Sequence, residues 1–275
     1  MRLRHGPIDV LITADGHLSE VALAMAQARA AFPDILPALC RELPRLKAPL
    51  PSLPPHNEIA AKMHAAVSPF GDRFITPMAA VAGAVADSLL ASLTENRTLR
   101  TATVNNGGDI AFHLAPNSPL RCGLVADIAV PALDGTFTLH AHQPTRGIAT
   151  SGRACKGQGG RSFSLGIADA VTILATTAAQ ADAAATVVAN AVNLPGHPAI
   201  IRRPATDIDP ESDLGSRRIT WDVGHLSPPE IHAALDAGAR LAHSLIAAKL
   251  IHGAILALRG NVKVCGTTIP ALEHA

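Results

Sequence analysis

Asp182, Thr186 and Asn190 recur every fourth residue in ADAAATVVANA, a stretch whose other residues are all alanine or valine. On a helix that spacing puts the three on one face. A carboxylate among small apolar residues must be paired, ligated or pointed at a cleft, because an unpaired buried charge is too costly. Carboxylate and hydroxyl oxygens side by side suit a hard cation such as magnesium, which keeps waters and takes further oxygens from a phosphate substrate. The same residues also fit an Asp paired with a nearby arginine and a Thr bonded to its own helix backbone.

Two further stretches have the composition of ligand contacts. In ATVNNGGDIAFHL, residues 102–114, two apolar runs are broken by Asn105, Asn106, Gly107, Gly108 and Asp109. Gly107 and Gly108 let main chain approach a ligand, and the flanking polar residues supply donors and acceptors. An elaborate tight turn accounts for the same residues. In ATSGRACKGQGGRS, the hydroxyls of Thr150 and Ser151, with Gly152, Arg153, Lys156 and Arg161, form a potential phosphate cradle. This segment has neither the P-loop nor the dinucleotide-binding glycine spacing, and a solvated flexible loop is its alternative.

Weaker signals are explained without chemistry. His140 and His142 alternate onto one face of a strand but lack a recognisable third metal ligand. Asp207, Asp209, Glu211 and Asp213 lack the order of a calcium loop and read as solvated. Cys155 sits in the basic loop with no identified base, so a thiol nucleophile is not needed there. Cys40, Cys122, Cys155 and Cys265 form no C-x-x-C pair, which fits reduced thiols.

These residues need elements to hold them. A strand at 8–13 leads to a helix capped by Ser19 and running through Ala31. A Pro-rich connection at 44–55 follows, then a helix capped by Asn57. Thr76 and Pro77 mark the start of TPMAAVAGAVADSLLASL, a helix apolar enough to be buried on most sides. Strand patterns at 102–104, 110–114, 124–128 and 137–142 predict an antiparallel sheet. DAVTILA is a strand, and Thr177 with Gln180 begins the helix that carries Asp182. Residues 202–222 form a polar surface excursion. A final helix starts at Ser227-Pro228-Pro229-Glu230 and stops at Gly260, before the strand NVKVCG.

Of 275 residues, 48% are hydrophobic and 16% charged, enough apolar content to bury a substantial core as one large domain or two intimately packed ones, and 1–275 reads as a single domain. A net charge of +1 with 3% aromatic residues offers neither a field nor a stacking platform for nucleic acid. No signal peptide is recognisable and no run approaches a membrane span, so the chain is expected in the cytoplasm.

TPMAAVAGAVAD, NNGGDI, GIATSG and ADAAAT occur in the order and approximate spacing of the ApbE-like superfamily, the magnesium-dependent FAD:protein FMN transferases. The chain most resembles an uncharacterised cytoplasmic (UPF-type) branch of it. That resemblance implies an α+β fold with antiparallel sheets flanked by Ala-rich helices, of the ApbE-like, T-fold-like kind. It also implies a magnesium ion held by the Val81 carbonyl, Asp182 and Thr186, and FAD or a related nucleotide as ligand. Asn105, Asn106, Gly107, Gly108 and Asp109 would line the pocket, and Thr150, Ser151, Gly152, Lys156 and Arg161 would cradle the pyrophosphate.

Three positions depart from the transferase pattern. Ala82 stands where transferases have lysine, Thr76 where they have Asp, and RSFSLG where they have HIIDP. The implied function is therefore a flavin or nucleotide enzyme with reduced or altered FMN transfer, the alternative being a non-catalytic binder or metabolic accessory protein that keeps the pocket. A small-molecule nucleotide or flavin is the expected partner, neither nucleic acid nor membrane is, and a homo-oligomer stays open.

Overall fold

β1 (Arg2–His5) and β2 (Ile8–Gly16) pair antiparallel at the start of the chain, the first residues of a computed structural model that describes residues 1–124, 135–152 and 163–266. β2 pairs in turn with β3 (Leu99–Asn106), and β3 with β4 (Asp109–Leu114), all antiparallel. Alternation sets the faces: Ile8, Val10 and Ile12 of β2 point into the core while Leu11 lies outside.

The chain divides into two units, one of residues 1–122, 138–149 and 174–183, the other of 123–137, 150–173 and 184–275. In the first, β1 to β4 lie in chain order, and β4 pairs with the start of β7 (Gly147–Ser151). Helix α4 (Val81–Thr94) packs on β3 and β4, with α1 (Leu18–Arg41) and α3 (Glu58–Val67) beside it. A four-residue helix, α2 (Leu43–Leu46), leads into the Pro-rich segment. β5 (Pro119–Leu124) pairs with β6 (Gly135–His140).

In the second unit β8 (Ala170–Ala175) and β11 (Gly253–Leu258) are neighbours, and β11 pairs antiparallel with β12 (Asn261–Cys265). Helix α6 (Pro228–Ala247) packs on β11 and β12. β9 (Ile200–Pro204) and β10 (Arg218–Val223) form a separate antiparallel ribbon. α5 (Ala178–Ala191) follows β8, and the division between units falls within it. The α+β class and the antiparallel pairing are as expected.

Three boundaries differ from expectation. α1 does not stop at Ala31 but runs through Pro33 and Pro37 to Arg41, because Ala24, Ala28, Phe32, Ile35 and Leu39 make one buried stripe. Burial of that stripe outweighs the two backbone hydrogen bonds that the prolines forgo. The last helix ends at Ala247 instead of near Gly260, and GAILAL is a strand buried at every position, a run whose periodicity cannot distinguish helix from strand. Residues 77–94 are also apolar enough by length and composition to cross a bilayer, unlike the expectation that no run approaches this. Here they form a 3₁₀ turn, Pro77–Ala80, and the core helix α4, with Gly83, Ala84, Val85, Ala86, Leu89 and Leu93 buried.

Where caps are local the sequence is followed closely. Asn57 Oδ1 accepts from the N–H groups of Ile59 at 2.9 Å and Ala60 at 3.2 Å. At α6 the Glu230 carboxylate accepts from the Ser227 N–H at 2.7 Å and meets His197 Nε2 at 2.9 Å. The Ser227 N–H, with His197, holds the Glu230 carboxyl down to about 2, from an ordinary 4.5. A carboxyl lowered on folding stabilises above its unfolded pKa, and that contribution is lost as pH falls through the folded one. Glu230→Gln should therefore lower the melting temperature at neutral pH, and the gap from wild type should close between about pH 4.5 and pH 2. Melts at both ends of that range check it; a gap independent of pH would refute the cap.

Candidate functional site

The starts of α4 and α5 are held by each other's carboxylates. Asp87, one and a half turns into α4, accepts from the N–H groups of Ala178 at 3.0 Å and Ala179 at 2.9 Å, the first residues of α5. Asp182, in the second turn of α5, accepts from the Gly83 N–H at 3.0 Å in the first turn of α4. The first N–H groups of a helix lack partners within it and carry partial positive charge, so each carboxylate satisfies and stabilises the opposite terminus. Thr177 Oγ1 adds the local half of a cap, accepting from the Gln180 N–H at 3.2 Å.

Glycine makes this approach possible. A Cβ on Gly83 would meet the carbonyl of Ala178 and lie 2.7 Å from the Ala179 nitrogen, both backbone atoms. No side chain fits between the two helix starts.

The electrostatic result is a crowded pair of acids. Burial pushes the Asp182 carboxyl up to about 7, against the pull of the Gly83 and Ala82 N–H groups, and the charge of Asp87 pushes the same way. Burial raises Asp87 too, opposed by the Ala179 and Ala178 N–H groups and by the charge of Lys62. Among the described residues Asp182 has no lysine or arginine partner, so the arginine pairing left open by the sequence is not what holds it. Asp182, Thr186 and Asn190 are the half-buried face of a helix that is otherwise buried apart from Gln180 and Ala191.

Asn190 is occupied structurally, its Oδ1 accepting from the Leu165 N–H at 2.8 Å. The Leu165 carbonyl in turn accepts from Arg202 at 2.6 Å, so Leu165 is held by an amide through its N–H and by a guanidinium through its carbonyl. No three His, Cys, Asp or Glu side chains converge among the described residues. A cation at Asp182 would thus draw on carboxylate, hydroxyl and carbonyl oxygens and on water, a donor set that suits magnesium.

The Asn-Asn-Gly-Gly-Asp stretch is a two-residue hairpin between β3 and β4. Gly107 and Gly108 have φ of 69° and 108°, conformations that cost little only without a Cβ. Asn105 Oδ1 accepts from the Gly108 N–H at 2.9 Å and braces the turn. Asn106 reaches away from it, donating through Nδ2 to the Ala82 carbonyl at 3.1 Å, beside the residue whose N–H holds Asp182. Asp109 is buried. The motif is both a turn and a fastening for the start of α4. Asn106→Ala should cost about 0.5–1.5 kcal/mol, the net contribution of one hydrogen bond, measurable by urea unfolding. No change in midpoint would show that the fastening carries no load.

In the second unit Thr150 Oγ1 lies 2.9 Å from Thr172 Oγ1, Ser151 ends β7 and Gly152 follows it with a φ of 143°. Arg153, Lys156 and Arg161, the rest of the expected cradle, lie outside the described residues, as does Cys155. Burial pushes the Cys122 thiol up to about 12 and raises Cys265, so neither supplies a thiolate at neutral pH.

Comparison with known proteins places the chain in a family. A UPF0280 protein of Methanothermobacter thermautotrophicus is 41% identical over 123 residues, 44% of each chain. One of Methanopyrus kandleri is 37% identical over 144 residues, 52% of this chain and 53% of that one. The chain spans about half the length of the curated relatives it matches. Among solved structures, the apo flavinyl transferase ApbE of Pseudomonas stutzeri aligns over 97% of this chain and 93% of its own, at 14% identity and a TM-score of 0.49. The ApbE protein of Thermotoga maritima aligns over 92% and 77%, at 16% identity and a TM-score of 0.39. The family model described as AbpE bacteria matches residues 1–264, so the chain belongs to that family.

Proposed function

We propose that the protein binds magnesium together with FAD or a related nucleotide, and that its FMN-transfer chemistry is reduced or altered. The observation that carries this is Asp182: a carboxyl raised by burial and by Asp87, bonded to backbone N–H groups and to no cationic side chain among the described residues, on the helix face of Thr186. A divalent ion there would relieve the repulsion between the acids and lend positive charge to a pyrophosphate. Asp182, Thr186 and the Val81 carbonyl would hold it. Asn105, Asn106, Gly107, Gly108 and Asp109 would contact the nucleotide, and Thr150, Ser151, Gly152, Lys156 and Arg161 its phosphates.

Ala82 in place of the transferase lysine removes a positive charge beside that ion, and Ser164 and Leu165 occupy the HIIDP position without a His or Asp. The same two departures favour a second reading, a flavin or nucleotide binder without transfer activity.

Incubating the chain with FAD, magnesium and a protein carrying the transferase target motif separates the outcomes. Chelator-sensitive FAD binding with little covalent flavin is expected. Robust flavin on Thr or Ser would overturn the reduced-transfer reading, and no nucleotide binding would overturn the flavin reading altogether.

A further inference from the structure

At the far end of β4 from the Gly107–Gly108 turn, about 17 Å away at some 3.4 Å per residue, the first unit contains a cavity of about 630 Å³. Its walls include Asn117 and Ser118 after β4, His140 at the end of β6, and His142 and Arg146 from the segment between β6 and β7. The Asp182 and hairpin residues are not among them.

Arg146 is fixed in a way that leaves its charge unspent. Its backbone is held on both sides, its N–H bonding the Ala175 carbonyl at 3.0 Å and its carbonyl accepting from the Phe112 N–H at 3.0 Å. The guanidinium donates Nη1 to the carbonyls of Gln143 and Thr145 and Nη2 to that of Ala141, at 2.5–2.7 Å. Those three bonds hold the loop around the side chain and leave two of the five guanidinium N–H donors for another acceptor. No carboxylate pairs with Arg146 among the described residues, and none lines the cavity. A part-buried cation satisfied by neutral carbonyls alone still lacks a counter-charge.

Beside it the rings of His140 and His142 stack, their centroids 5.6 Å apart at 11°, and both side chains are exposed. Two imidazoles alone would suit a transition metal, but no third ligand approaches them among the described residues and the guanidinium repels a dication. An anion meets the opposite conditions: an uncompensated cation, spare N–H donors and no competing carboxylate.

We propose that this cavity binds the oxyanion group, phosphate or carboxylate, of a small molecule, with Arg146 as its charge partner and His140 and His142 as hydrogen-bonding walls. The proposal uses none of the residues of the proposed magnesium and nucleotide site and does not depend on that reading.

The test titrates inorganic phosphate and, separately, acetate into the full chain in chelator at constant ionic strength, followed by nuclear magnetic resonance of the histidine side chains. One of the two anions should shift His140 and His142 saturably while the other 11 of the 13 histidines stay nearly fixed, and which anion does so identifies the group. The double variant His140→Gln/His142→Gln, altered only at exposed positions, should bind several-fold more weakly by calorimetry, and Arg146→Gln about tenfold or more. If Arg146→Gln does not fold, the wild-type shifts and the double variant decide. Unmoved His140 and His142 signals with both anions, or wild-type affinity in the double variant, would overturn the site.

Discussion

Gly83→Ala is expected to destabilise the protein by about 3 kcal/mol, the upper end of overpacking costs, although it adds one methyl group in a helix that alanine otherwise favours. The new Cβ would press on the Ala178 carbonyl and the Ala179 nitrogen, and backbone cannot swing aside as a side chain does. Relief requires α4 and α5 to part at their starts. Parting stretches the Gly83–Asp182 bond of 3.0 Å and the Asp87 bonds of 3.0 and 2.9 Å together. Urea unfolding of the variant beside wild type measures the cost; a loss under about 0.5 kcal/mol, typical of a surface substitution, would mean that the helices do not approach as described.

Asp182→Asn should have the opposite signature. The amide oxygen still accepts from the Gly83 N–H, and the change removes a negative charge beside Asp87. In chelator the variant should therefore melt at or above the wild-type temperature. With magnesium the wild type should gain stability by mass action, about 2.7 kcal/mol at a hundredfold excess over its dissociation constant, and the variant should lose nearly all of that gain. Melts of both proteins in both conditions supply the comparison. A wild type indifferent to magnesium, beside a variant destabilised equally in both conditions, would remove the ion from Asp182.

What could be read from the sequence was what lies close along the chain. Asn57 with Ile59 and Ala60, and Ser227 with Glu230, are caps spaced two or three residues apart, and both form. The Asn-Gly-Gly turn and the shared face of Asp182, Thr186 and Asn190 follow from backbone period alone. The helix start assigned to Thr76 shows the limit. Thr76 makes no side-chain cap, a 3₁₀ turn intervenes, and the acceptor for the first turn of α4 is Asp182, 99 residues from Gly83. No local spacing encodes such a pairing. The motif resemblance singled out Asp182, but not that it exchanges helix starts with Asp87. The cavity at Arg146 went unread for a similar reason, since its walls come from segments either side of β5 and β6.

The exchange of carboxylates between α4 and α5 also bears on how the molecule opens. Neither helix start can fray without stripping the acceptor from the other, so the amides of Gly83, Ala178 and Ala179 belong to one cooperative opening unit and should exchange with solvent deuterium at a common rate. Their contacts close loops of more than ninety residues, so loop-closure entropy places their formation after local pairing such as the β3–β4 hairpin. The acids at the candidate site should thus come together only after the local hairpin has formed, and part in one event of unfolding.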